Sequence, residues 1–195
     1  MTRILTLTCL LLSGVAVPYA QAQAWQVGQG RVVVVCPLTV GGRFEAKTEA
    51  VTGEVSVGED RRALAGNFVV DLRTLKTGIG LRDAHLRDNY LEVSRGQEYE
   101  TAVLNAISLD APAPERGQSA VIGFRGVLTL HGHGQAVSGR ADISHKADRM
   151  NVKVTFPVRI DAYAIARPSY LGVGVSNQIE VTVRAMLKPA ATPSS

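Results

Sequence analysis

Apolar and polar side chains alternate along most of this chain. Met150, Val152, Val154, Phe156, Val158 and Ile160 alternate with Asn151, Lys153, Thr155, Pro157, Arg159 and Asp161. Ile179, Val181, Val183 and Ala185 alternate with Gln178, Glu180, Thr182 and Arg184. Phe68, Val70 and Leu72 alternate with Asn67 and Asp71, leaving Val69 off pattern. A period of two gives each strand one apolar and one wet face, as in an antiparallel sheet covering a core on one side. Pro157 has no N–H to give a ladder, which predicts a bulge or a weakly paired stretch there. Further strands are expected at 31–36, 43–50, 53–57, 99–109, 121–130 and 136–145. Turn residues separate many of them: Gly41-Gly42, Gly58-Glu59-Asp60, Gly132 with Gly134, and Ala147-Asp148. Short strands at such even spacing predict an all-β closed barrel or a two-sheet sandwich.

One helix is expected, at 80–91. Leu81, Ala84 and Leu91 share a face there, and Asp83 stands four residues before Arg87, at ion-pair spacing. Residues 110–120 read as an exposed loop and 189–195 as a flexible tail. The alternation is missing at the start. Arg3 is followed by an apolar run from Ile4 to Val17, then Pro18 and Ala20-Gln21-Ala22-Gln23-Ala24. A basic start, a greasy middle and spaced alanines make a secretory signal peptide over 1–24, cut after Ala22 or Ala24. A membrane span needs about 20 apolar residues, and this run ends short of that. The expected mature protein is periplasmic or secreted, with one domain over 25–188.

Cleavage removes Arg3 and Cys9, so the formal charge falls from +4 to +3 and Cys36 is left as the one cysteine. No internal disulfide can form, and the fold must rest on packing. Cys36 is read as a buried, inert thiol. Beyond Arg61-Arg62 there is no basic cluster, so nucleic acid is not an expected partner.

Candidate chemistry is sparse. Arg82, His85 and Arg87 lie on the helical segment, where Arg82 and His85 are three apart and face an anionic group together; a solvated helix with local ion pairs is the plainer account. His131 and His133, two apart on an extended segment, suit a metal with a third ligand such as His85 or His145, or else a glycine-rich hairpin turn with His131 bonded to backbone. Ser119, Ser138, Ser144 and Ser169 lack a nucleophile elbow, and Cys36 precedes Pro37 with no His partner in sequence. Neither an enzyme nor a cofactor is expected.

Residues 66–93 carry Gly-Asn-Phe-Val-Val-Asp-Leu-Arg-Thr-Leu, then Arg82-Asp-Ala-His-Leu86, then an aromatic-apolar pair; 126–132 read Gly-Val-Leu-Thr-Leu-His-Gly. In order and spacing these two blocks resemble the YceI-like family, and the likeness runs from about residue 30 to 187. It departs at 28–36, where the family's Asp-x-x-His-Ser opening is absent, and after Gly134, where Gln135-Ala136 replaces Lys-Pro. The resemblance implies an extended lipocalin-like antiparallel barrel of about eight strands with the helix at one side. It also implies an exported protein, often dimeric, that holds a polyisoprenoid, quinone tail or fatty-acid derivative.

Such cargo suits the composition. Aromatics are 5% of the chain, so few large side chains are available to fill a barrel. A methylene chain restores the lost contacts at about 0.8 kcal/mol per buried CH₂. Phe68, Val70, Leu104, Phe124, Leu128, Val154, Phe156, Val158 and Val181 are the expected apolar lining. Arg82, His85 and Arg87 are the expected head-group contacts. The alternative is a barrel filled by its own side chains that serves as an interaction or stress-response protein, with or without a metal at His131 and His133.

Overall fold

The computed structural model describes residues 23–170 and 173–191. The expected leader, apart from its last two residues, lies outside these, as do the last four residues of the expected tail. The strands are β1 (Ala24–Pro37), β2 (Arg43–Thr48), β3 (Val51–Val57), β4 (Ala63–Asp71), β5 (Thr101–Leu109), β6 (Ser119–Leu130), β7 (His133–Lys146), β8 (Arg149–Arg159), β9 (Ser169–Tyr170), β10 (Val173–Gly174) and β11 (Gln178–Pro189). Eight of them close an antiparallel barrel in the order β1-β3-β4-β5-β6-β7-β8-β11, with β11 pairing back onto β1. β2 extends the pairing of β1 beyond the point where β3 leaves it, with Val32 opposite Thr48 and Pro37 opposite Arg43. Closure leaves the main ring with no open edge, which removes the usual route to strand-on-strand association.

The inward side chains are those the alternation marked. In β8, Met150, Phe156 and Val158 are buried while Asn151, Lys153, Pro157 and Arg159 face water. Pro157 pairs with Glu180 of β11 in unbroken register. On its other side, pairing to β7 has already ended at Arg140 and Thr155, so the missing N–H costs no bond. The weakly paired site was expected; the bulges lie elsewhere, in β1 between Val27 and Gln29, in β4 between Leu64 and Asn67 and in β5 between Asn105 and Ser108. The one in β1 switches the inward positions from odd numbers, with Trp25, to even ones, with Val32, Val34 and Cys36.

Two boundaries differ from the sequence reading. Trp25 pairs with Pro189 and the Ala190 N–H donates to the Ala24 carbonyl, so the sheet continues into the segment expected to be flexible. The helix α1 is short, Gly80–His85, and continues as a wider turn over 86–90 in which the Leu91 N–H bonds to the Leu86 carbonyl. Leu81 is 71% exposed while Leu91 is buried, so the expected apolar face is not one face. Asp83 pairs with no arginine among the described residues. It accepts from the Thr77 N–H and hydroxyl, each at 2.6 Å, and so fixes the loop that leads into the helix. Those bonds hold the Asp83 carboxyl below the usual carboxylate range.

Candidate functional site

The barrel encloses a cavity of about 230 Å³, and among the described residues no charged side chain lines it. Trp25, Leu109, Ala113, Met150 and Leu187 form its floor, at the end where β1 begins and β11 finishes. Trp25 is 2% exposed and meets the His145 ring edge to face at 5.2 Å. Phe124 and Phe156 pack edge to face across the wall at 5.7 Å. Beside them Gly139 leaves room: a Cβ there would stand 2.7 Å from the Phe156 Cβ.

All nine side chains expected to line the interior stand on the cavity wall: Phe68, Val70, Leu104, Phe124, Leu128, Val154, Phe156, Val158 and Val181. The interior is not plugged by the protein's own side chains, which removes the structural basis of the filled-barrel alternative. The other end of the cavity is built by residues that alternation could not mark. These include Phe44 of β2, Leu75 of the turn after β4, Leu86, Tyr90 and Leu91 of the helical segment, and Ile165, Pro168 and Val175 between β8 and β11. Phe44, Leu86, Tyr90 and Pro168 are half-buried, and lead from the cavity to the surface.

Cys36 lines this end and is buried. Burial pushes its thiol up to about 11, against the opposing pull of the Arg82 guanidinium. A thiol held in that form is a poor nucleophile.

The three cationic candidates do not converge on the cavity, and none of them lines it. Arg82 lies over the Phe44 ring at 4.7 Å, on the outer side of a lining residue. His85 is exposed and Arg87 half-buried.

The histidine pair of the second block also separates. His131 and Gly132 are the two positive-φ residues of a tight hairpin between β6 and β7, with Leu130 opposite His133. His133 is exposed, whereas His131 is 6% exposed. The His131 Nδ1 lies 3.1 Å from the Tyr163 carbonyl oxygen and its Nε2 3.0 Å from the Glu92 carboxylate, both within hydrogen-bond reach. Both ring nitrogens are engaged, so His131 has none to give a metal. His145 lies at the far end of β7, twelve residues from His133 and so about 40 Å along the strand. No third ligand comes from there.

A closed antiparallel barrel with a dry apolar interior and helical turns over one end is a lipocalin-like binding architecture. The YceI-like domain matches residues 22–187, and the chain belongs to that family. Among solved structures, it is similar to a polyisoprenoid binding domain from Saccharophagus degradans implicated in plant cell wall breakdown, at 13% identity and TM-score 0.66, covering 86% of this chain and 99% of that one. It is also similar to Burkholderia cenocepacia BcnA, at 13% identity and TM-score 0.63, covering 84% and 96%. For the Campylobacter jejuni YCEI protein the values are 12% and 0.54, covering 75% and 85%. Comparison with curated proteins gives no match.

Proposed function

We propose that this protein is an exported carrier or sequestering protein that holds a long apolar molecule inside its barrel. A polyisoprenoid, a quinone tail and a fatty-acid derivative share the chemistry that the interior offers. The observation that carries this reading is a cavity whose wall, among the described residues, has no charged side chain and is nearly all aliphatic or aromatic. A dry apolar void has lost contacts on one side, and methylenes restore them at about 0.8 kcal/mol each. The neighbour from Saccharophagus degradans, a polyisoprenoid binding domain, supports the ligand class. A polar head group is left at the open end, beside Phe44, Tyr90 and Arg82. Among the described residues the Cys36 thiol is the nucleophile type on the cavity wall, and burial pushes it up to about 11, which supports a reading of binding.

Export is supported by the basic start, apolar run and spaced alanines of residues 3–24. Cleavage after Ala22 is the better of the two sites. It keeps the Gln23 and Ala24 carbonyls, which accept from Val57 and Ala190.

Trp25 is the one tryptophan of the chain and lies on the cavity floor, so it reports on occupancy directly. Titration with a conjugated polyene fatty acid is expected to quench its emission to saturation. The Ala102→Phe/Val154→Phe variant, which puts two rings into the cavity, is expected to weaken that uptake by about tenfold or more without lowering the melting temperature. A flat titration would reject the reading, especially if protein purified from its host also yields no extractable lipid by mass spectrometry.

A further inference from the structure

The wall of the cavity does not widen freely. β11 is bonded to β8 on one side and returns to β1 on the other, from Trp25 opposite Pro189 to Val35 opposite Glu180. The far side of β1 is held by β3 and then by β2, and the remaining strands pair in turn around the ring. Once strand number and stagger are set, the bore of a barrel is set as well. Extra volume has to come from side-chain rotamers or from broken ladder bonds.

One end of this tube is also shut. Trp25 and Leu187 are each 2% exposed, and Leu109, Ala113 and Met150 beside them are buried. A tail that enters past Phe44, Leu86, Tyr90 and Pro168 therefore ends against that floor and cannot run through.

A closed tube of fixed bore measures its cargo by volume. An apolar cavity of about 150 Å³ takes up benzene, with its six carbons, so each carbon fills about 25 Å³. On that scale the 230 Å³ cavity encloses about nine or ten carbons. Two isoprene units or a medium-chain acyl group have that size.

We infer that the cavity selects cargo by chain length: its ligand is a molecule whose apolar tail is about ten carbons long, held whole between the Phe44–Tyr90 rim and the Trp25 floor. This rests on the cargo reading above and narrows it to a two-isoprene or medium-chain tail. A shorter tail leaves an unfilled gap against the floor, and the wall there lacks contacts. A longer tail leaves methylenes outside the rim. In a bilayer those methylenes are buried, so each one shifts the molecule from the protein to the membrane by about fourfold. Only a tail that fits entirely is held against a lipid phase. Met150, on the floor, is one of the side chains that set the depth.

A homologous series tests this on the mature protein: hexanol, octanol, decanol, dodecanol and tetradecanol, with geraniol and geranylgeraniol as isoprenoid counterparts, each titrated calorimetrically below its solubility limit. Affinity is expected to rise by about fourfold per methylene from hexanol to decanol, and then to stay within about twofold through tetradecanol. Geraniol and geranylgeraniol are expected to bind within about twofold of each other for the same reason. Met150→Ala deepens the floor and is expected to carry the rise on to dodecanol. Ala113→Leu fills the floor and is expected to end it near octanol. A rise that continues unbroken through tetradecanol in the wild type overturns the inference while leaving the cargo reading intact. So does a break that stays at decanol in both variants when each melts cooperatively. Should a variant fail to fold, the wild-type series decides alone. Absence of binding by every alcohol and by the polyene rejects the cargo reading, and this inference with it.

Discussion

The His131 ring bridges two segments that cover one end of the barrel, with Nε2 3.0 Å from the Glu92 carboxylate and Nδ1 3.1 Å from the Tyr163 carbonyl. Both ring nitrogens are thereby engaged with the protein. Tyr99 packs edge to face on the ring at 4.7 Å, and Arg95 lies over Tyr99 while pairing with Glu92. One buried side chain thereby ties the turn after β6 to the segment before β5 and to the turn after β8.

His131→Ala removes two hydrogen bonds and an aromatic contact, and leaves the Tyr163 carbonyl without this donor. The expected loss is about 2–3 kcal/mol, seen as a lower midpoint in urea unfolding. Limited proteolysis is expected to cut first within 86–100, the segment the ring holds. An unchanged midpoint would mean that the bridge contributes nothing net.

The acid limb of the stability profile should depend on Glu92. Arg95 first, and His131 after it, hold the Glu92 carboxyl below its usual range near 4.5. A depressed native value means that this contribution is present above the unfolded range and is lost as pH falls through the native value. Melting temperatures are therefore expected to fall below about pH 4.5, and less steeply in Glu92→Gln, which has nothing to protonate there. Parallel profiles for the two proteins would remove Glu92 from the account.

β3 and β4 touch through glycine. Gly53 and Gly66 have φ of 142° and 116°, and a Cβ on Gly66 would come within 2.1 Å of the Glu54 carbonyl oxygen. Gly66 also lies in the bulge between Leu64 and Asn67, where the register to β5 shifts. Gly66→Ala is expected to cost about 2 kcal/mol or more, because backbone atoms must move. Gly80→Ala serves as the control, since no atom lies within 4 Å of the Cβ it adds. Equal stability of the two variants would contradict this.

The Cys36 thiol, pushed up to about 11 by burial in the cavity wall, is expected to react with a water-soluble disulfide reagent at pH 8 far more slowly than in denaturant. Polyene bound in the cavity should slow it further. Labelling at the unfolded rate would place the thiol outside the apolar wall.

How much was legible in the sequence differs from element to element. In β8 and β11 the alternation marked the inward side correctly at Phe156, Val158 and Val181, because a two-residue period and a closed barrel leave no choice of face. The cavity end at Phe44, Leu86 and Tyr90 was not legible, because those residues lie on a short strand and irregular turns without a repeat. The hairpin turn with His131 bonded to backbone was one of the two readings of that block, but its partners were not legible: Glu92 and Tyr163 are 39 and 32 residues away from it, a separation that carries no local signal.

Local periodicity and turn chemistry thus determined that this chain forms antiparallel strands with one apolar side, and which residues belong to that side. They act over a few residues, and the residues carry them wherever the strand ends up. Tertiary structure alone decided that the ring closes from β11 to β1, that it leaves an unfilled space, and that the cations of the helix stand outside it. Closure and volume depend on how distant elements meet, and no stretch of neighbouring residues encodes that.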